Sequence, residues 1–212
     1  MMGVISGPSL RRLPQYLKLL TRLVGEGQVY VTSAEVARQL KLDETLVRKD
    51  LSVTGFTGKP RVGFEIETLK HHLEGYLGLQ MTKEAFLVGV GRLGQALTHY
   101  PGFERYGLRF AGLFDNNPDK IGQVIAGVEV MPLWKAPALA RKLNVRIAVL
   151  TVPAHAAQPV ADLLADAGML AFWNFSGHPV HMPDPIVVQN EDLADSLAVF
   201  SHKVIRQLEA GK

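Results

Sequence analysis

The chain has 212 residues, of which 47% are hydrophobic, and its formal net charge is +3. That length accommodates one large or two modest cores and the hydrophobic share argues against a mainly disordered chain, while the absence of cysteine excludes disulfides, thiolate nucleophiles, Cys-ligated zinc and thiol redox sensors. No apolar run approaches the ~20 residues of a membrane span, and "MMGVISGPSLRR" has no apolar signal core, so a soluble, cytoplasmic protein is expected.

The first part of the chain reads as short helices around a Gly-rich hairpin. Leu13, Leu17, Leu20 and Val24 recur at helical spacing, and "GEG" from Gly25 to Gly27 ends that helix. "TSAE" from Thr32 to Glu35 is a capping-box pattern opening a second helix, with Val36 and Leu40 inward. Asp43 caps a third helix, which Gly55 stops. Within "DETLVRKDLSVTG", Leu46, Val47 and Leu51 turn inward, while Thr45, Arg48, Lys49 and Ser52 share one polar face with two cations, two hydroxyls and no acid. Asp50 reads as a local salt-bridge or capping partner. Just downstream, "GFTGKPRVGFEI" reads as two short strands around "TGKPR", with Lys59 and Arg61 at the tip, and a further helix follows. Residues 1–78 carry 11 of the 23 Lys and Arg but only 8 of the 20 Asp and Glu, which leaves 12 of each elsewhere, so the excess charge sits here. The ordered set of capped helices, basic helix and basic hairpin predicts a winged helix that binds nucleic acid. Arg or Lys on such a helix reaches guanine O6 and N7 in the major groove, and a cationic tip suits the backbone or minor groove.

After Lys83 the pattern changes. "EAFLVGV", "LRFAGLFD", "RIAVLTVP" and "MLAFWNF" are apolar runs suited to strands covered on both faces, and "APALARKLN" and "AQPVADLLADAG" are amphipathic helices between them. This alternation predicts a doubly wound, mostly parallel α/β sheet. "IVVQN" is expected to add an edge strand, and residues 191–209 a long final helix.

Gly89, Gly91 and Gly94 have the spacing G-x-G-x-x-G, after an apolar strand and at the start of a helix, as a dinucleotide fingerprint requires. The loop also contains Val90, Arg92 and Leu93, with Arg92 placed to touch a pyrophosphate. The next strand ends at Asp115, where an acid bonds the adenosine ribose hydroxyls and repels a 2′-phosphate, which favours NAD(H) over NADP(H). Thr151, Val152 and Pro153, in "TVPAHAAQ", and Asn174, in "NFSGHP", lie at later strand ends and are candidates for the nicotinamide side. A purely structural reading stays open: Gly89 and Gly91 for packing, and Asp115 as the cap of "DNNPDK".

Hydride transfer needs a positioned acid or base and an anchored substrate. The sheet consumes the rest of the chain and leaves no substrate domain. His155 and His178 lie in loops expected to face the cofactor, where a histidine is more often a surface residue than a base, and His178 with His181 lacks a nearby acid or third ligand for a metal. No catalytic and no metal-binding residue is assigned. An alternative is a small NAD-dependent oxidoreductase with an N-terminal oligomerisation domain; another is a CoA- or other nucleotide-binding module with a DNA-binding head.

"RKDLS" at Arg48, "GFTGKPRVGF" at Gly55, "VGVGRLGQAL" at Val88, "FDNNPDKIG" at Phe114, "LTVPAHAAQPVADLL" at Leu150, "NFS" at Asn174 and "VQNEDLADSL" at Val188, in that order, resemble the Rex family of redox-sensing transcriptional repressors. The resemblance implies a winged-helix domain over residues 1–79, a Rossmann NAD(H)-binding domain over 80–190 and a dimerisation helix over 191–212, swapped across a homodimer. It implies binding of a palindromic DNA operator in the apo or NAD⁺ form and release on NADH binding. It also implies a switch formed by Lys18, Tyr100 and Asp192. The family commonly has Arg where this chain has Lys18, and a G-K-R-G-V-G-Y hairpin where this chain reads "GKPRVGF".

Overall fold

A computed structural model describes residues 5–210. The chain divides into two compact units, residues 1–81 and 82–212, the ends of those ranges at 1–4 and 211–212 lying outside the described residues. Among the described residues no helix is long and apolar enough to cross a membrane.

In the first unit, α1 (Gly7–Gly25) starts where the Ser6 hydroxyl accepts the Ser9 N–H, and it buries Leu13, Tyr16, Leu17, Leu20 and Leu23. In α2 (Ser33–Leu40) the Thr32 hydroxyl accepts the Glu35 N–H at 3.1 Å, and Lys41, at φ 55°, ends the helix in the left-handed region. In α3 (Glu44–Val53) Asp43 caps the Leu46 N–H at 3.1 Å. These helices and α4 (Ile66–Tyr76) share one core containing Val36, Val47, Leu51, Ile66, Leu69 and Leu73. Burying each such side chain contributes roughly 1.5–3 kcal/mol.

The hairpin departs from the two local strands expected. Lys59 and Gly63 form a single bridge, and β2 (Phe64–Glu65) pairs antiparallel with β1 (Tyr30–Val31) instead. Pro60, Arg61 and Val62 form the tip, with Arg61 at φ 63° and the Gly63 N–H donating to the Lys59 carbonyl at 3.0 Å, so the hairpin closes as a tight turn, and Phe64–Glu65 pair with a strand far upstream.

The second unit is a seven-stranded sheet in the order β5-β6-β4-β3-β7-β8-β9. Its strands are β3 (Lys83–Val88), β4 (Leu108–Asp115), β5 (Val124–Ile125), β6 (Val128–Pro132), β7 (Ile147–Leu150), β8 (Ala171–Asn174) and β9 (Val187–Asn190). All pairs are parallel except β5 with β6. Along β3, Phe86 and Val88 face one side with α7 (Ala136–Leu143) and α8 (Ala154–Asp166), while Ala85 and Leu87 face the other with Leu97 of α5 (Arg92–Thr98). Period-2 alternation with both faces apolar is what a doubly wound sheet requires. A short α6 (Gly102–Arg105) precedes β4. The sequence does not announce the β5–β6 hairpin: its turn places Ala126 at φ 48° and Gly127 at φ 79°, and alanine is not the residue that marks such a turn. The last helix, α9, runs Leu193–Ala210, starting two residues later than expected because Asp192 caps it by accepting the Ala194 N–H at 2.8 Å. Leu197, Phe200, Val204 and Leu208 recur along it at helical spacing and are exposed.

Candidate functional site

A cavity of about 500 Å³ opens beside the C-terminal ends of β3, β4 and β7, where the sheet order reverses. Val88, Gly89, Gly91, Asp115, Asn116, Lys120, Leu133, Thr151, Val152 and Pro153 are among its lining. Ligands of open α/β sheets sit at this place, because the connections on either side part there.

The three glycines of the loop have separate physical reasons. Gly89 is at φ 95°, and a Cβ there would stand 2.7 Å from the Thr151 carbonyl carbon. A Cβ on Gly94 would collide with the Gly89 carbonyl oxygen and stand 2.9 Å from the Thr151 hydroxyl oxygen. These two are packing glycines, and they hold β3 against the β7–α8 turn, where the Thr151 hydroxyl donates to the Gly89 carbonyl at 2.6 Å. Gly91 differs: it lines the cavity in extended backbone, and a Cβ would meet no atom within 4 Å. The space in front of it is open to a ligand, and the N-terminus of α5 follows it.

Asp115 both caps its turn and faces the cavity. Its Oδ1 accepts the Asn117 N–H at 2.8 Å; its Oδ2 accepts the Val90 N–H at 2.7 Å and pairs with the Lys120 ammonium at 2.9 Å. Burial by itself would raise the carboxyl, but the Asn117 N–H, Lys120 and the Val90 N–H outweigh it and hold Asp115 below the ordinary carboxylate range. It is therefore an ionised acceptor near neutral pH.

The other expected cofactor residues separate. Thr151, Val152 and Pro153 line the cavity, Val90 is buried core, Leu93 is half-buried, and Arg92 is exposed at the start of α5. Asn174 is buried, and its amide is committed to the fold: it donates to the His178 carbonyl and to the Asn190 side chain, each at 2.7 Å. Lys120, Asn116 and Leu133 line the cavity without having been singled out in the sequence. For Lys120 the signal was there, a lysine five residues after the acid across a turn.

On α3, Thr45, Arg48, Lys49 and Ser52 are all exposed. The face is not free of acid, contrary to the expectation, since Glu44, one turn earlier, pairs with Arg48. An exposed i,i+4 pair contributes only about 0.3–0.5 kcal/mol, so a phosphate or a guanine displaces it readily. Asp50, on the opposite side of the helix, is 1% exposed and its partners are not local. It accepts two hydrogen bonds from Arg12, at 2.7 and 2.8 Å, and one from the Tyr16 hydroxyl at 2.6 Å, so α3 is bound to α1. Burial opposes its charge, yet Arg12, Tyr16 and Ser9 hold Asp50 below its ordinary value; burial and then Asp50 raise Tyr16. At the hairpin, Lys59 donates to the Tyr30 hydroxyl at 3.3 Å, and Arg61 is exposed. Of the expected switch residues, Lys18 is exposed on α1, Tyr100 is exposed and packs edge-on against Phe103, and Asp192 caps α9.

A family model described as "CoA binding domain" matches residues 80–178, and one described as "Putative DNA-binding protein N-terminus" matches residues 4–52. The redox-sensing transcriptional repressor Rex of Treponema denticola is 37% identical over 93% of this chain and 94% of its own. The chain belongs to the Rex family. Solved structures agree. RSP, described as a Rex-family repressor, has been solved with β-NAD⁺ and operator DNA; that structure superposes with a TM-score of 0.90, at 32% identity, covering 98% of each chain. RSP with β-NADH superposes with a TM-score of 0.89, at 31% identity, again over 98% of each chain. The winged-helix unit followed by a Rossmann-like sheet is thus the Rex architecture.

Proposed function

We propose that this chain is a transcriptional repressor, not an enzyme, that reads the NADH/NAD⁺ ratio: it binds a palindromic operator in the apo or NAD⁺ form and releases it when NADH binds. The observation that carries the reading is a dinucleotide cradle, open at Gly91 and backed by the ionised Asp115, in the same chain as an exposed basic helix. Residues 89–94 receive the pyrophosphate, Asp115 the adenosine ribose, and Thr151, Val152 and Pro153 the nicotinamide side. Asn174 supports that side through the loop it braces. The bound nicotinamide supplies an oxidation state to be sensed. Thr45, Arg48, Lys49 and Ser52 enter the major groove, while Lys59 and Arg61 contact the backbone or minor groove. Lys18, Tyr100 and Asp192 form the switch.

The functional unit is a homodimer, with the apolar stripe of α9 covered by the partner copy, and the protein works in the cytoplasm, where its operator is. The proposed division is a DNA-binding domain over 1–79, a cofactor domain over 80–190 and a dimerisation helix from 191.

A ligand shifts an equilibrium only by its differential affinity for the two states. Weakening the operator complex a hundredfold requires NADH to favour the released state by about 2.7 kcal/mol. NADH titrated into a labelled operator complex is expected to lower its anisotropy at concentrations where NAD⁺ does not; NADH that binds and leaves operator affinity unchanged refutes the sensor. Arg48→Ala is expected to weaken operator binding by 1–3 kcal/mol, roughly 5- to 150-fold, with NADH affinity unchanged. Unchanged operator affinity in that variant would remove α3 from its role.

A further inference from the structure

The lone pairs of Asp115 limit what the ribose pocket can accept. Oδ2 already takes the Val90 N–H at 2.7 Å and the Lys120 ammonium at 2.9 Å, and Oδ1 takes the Asn117 N–H at 2.8 Å. A carboxylate oxygen has two acceptor positions, so Oδ2 is full and Oδ1 has one left. A ribose offers two hydroxyls, and the carboxylate as it stands can accept from one of them. The second needs another partner. Lys120 lines the same cavity, is partly exposed, and has three N–H donors of which Asp115 uses one. A hydroxyl oxygen accepts as well as donates.

We propose that Lys120 is a specificity-determining residue of the ribose pocket: its ammonium donates to a ribose oxygen and, as the counter-charge of Asp115, admits a 2′-phosphate, so that this chain takes NADPH as a weaker second ligand. This rests on the cavity being the NAD(H) site. A bare carboxylate in a partly buried pocket repels a 2′-phosphate, because like charges there are poorly screened. A cation 2.9 Å from that carboxylate offsets the repulsion and offers the phosphate a charge-assisted donor. Lys120 also has a purely structural task, since its own N–H donates to the Asn117 carbonyl at 3.1 Å and closes the turn. That bond belongs to the backbone and survives a change of side chain, so the two roles are separable.

The experiment measures the affinities of NADH and NADPH, by nucleotide fluorescence, for the full chain and for Lys120→Met and Lys120→Arg. The wild type is expected to bind both, NADH more tightly. In Lys120→Met, NADPH affinity is expected to fall about tenfold further than NADH affinity, which is the loss of one charge-assisted hydrogen bond; Lys120→Arg restores NADPH. If Lys120→Met does not fold, the same ratio is read in Lys120→Gln. A wild type that binds NADH but not NADPH overturns the inference, as does an NADH/NADPH ratio that is unmoved in the Met or Gln variant; either leaves the dinucleotide site standing. A wild type that binds neither nucleotide overturns both.

Discussion

Gly91→Val is expected to give a folded repressor that no longer responds to NADH. The position has φ −82° and ψ −169°, extended backbone that valine readily adopts, and a Cβ there meets no protein atom within 4 Å. The change in stability is therefore expected to stay within about 0.5 kcal/mol. The added branches occupy the open space of a cavity-lining residue, in front of which the proposed binding mode brings the pyrophosphate close to the backbone. NADH affinity is expected to fall at least about a hundredfold, which removes close to 2.7 kcal/mol of binding. Operator affinity without nucleotide should match the wild type, and titrated NADH should fail to release the DNA. Gly89→Ala provides the contrast. Its φ of 95° and the Thr151 carbonyl carbon at 2.7 Å make it a folding defect, expected to cost about 1–3 kcal/mol and to lower the melting temperature. A Gly91→Val protein that still releases DNA on NADH addition would remove the loop from the binding site.

Asp50→Ala is expected to destroy operator binding by a different route. The carboxylate is 1% exposed and satisfies both Arg12 and the Tyr16 hydroxyl, so its removal strips a part-buried guanidinium of its counter-charge and leaves a buried phenol without an acceptor. Breaking one side of such a pair costs roughly 3–5 kcal/mol, most of it desolvation no longer compensated. In a unit of this size the melting temperature should fall by more than about 10 °C. NADH binding by the second unit should persist, which separates this variant from Gly91→Val in both assays. The effect of pH follows from the sign of the shift. Asp50 is held below its ordinary value of 3.8, so its contribution is complete above about pH 4 and disappears as the pH falls through the lower, folded-state value. The wild-type unit should therefore lose stability on acidification below pH 4, and an Asp50→Asn variant, already destabilised, should lose less over that range. Circular-dichroism melts at pH 7 and across pH 2–5 check both statements. A melting temperature unchanged in Asp50→Ala would show that the α1–α3 link carries no stability.

Much of this architecture is legible in the residues alone, for a physical reason: helices and buried strands impose periods of 3.6 and 2 on the apolar residues, and caps and glycines mark their ends. Leu13 to Val24, the "TSAE" cap, the four central strands and the G-x-G-x-x-G loop with Asp115 beyond it are local or near-local signals of this kind. So is the exposed face of Thr45, Arg48, Lys49 and Ser52, because one helix decides which residues share a side. The tertiary structure decided whatever depends on a partner distant in the chain. Phe64–Glu65 pair with Tyr30–Val31 and not with their neighbours across the turn, and a partner more than thirty residues upstream leaves no local pattern to announce it. Asp50 looks local in sequence, yet its partners are Arg12 and Tyr16 on another helix. Gly89, Gly91 and Gly94 look alike in the motif, and the approach of the β7–α8 turn to Gly89, and of that turn and the Gly89 carbonyl to Gly94, distinguishes the two that pack from the one left facing open space. Local patterns along the chain announce a helical, basic first part and an α/β second part with their characteristic groups; the contacts across the fold set which of those groups are occupied in holding it together and which are free to meet a ligand, since a side chain's free valence is a property of its neighbours in space.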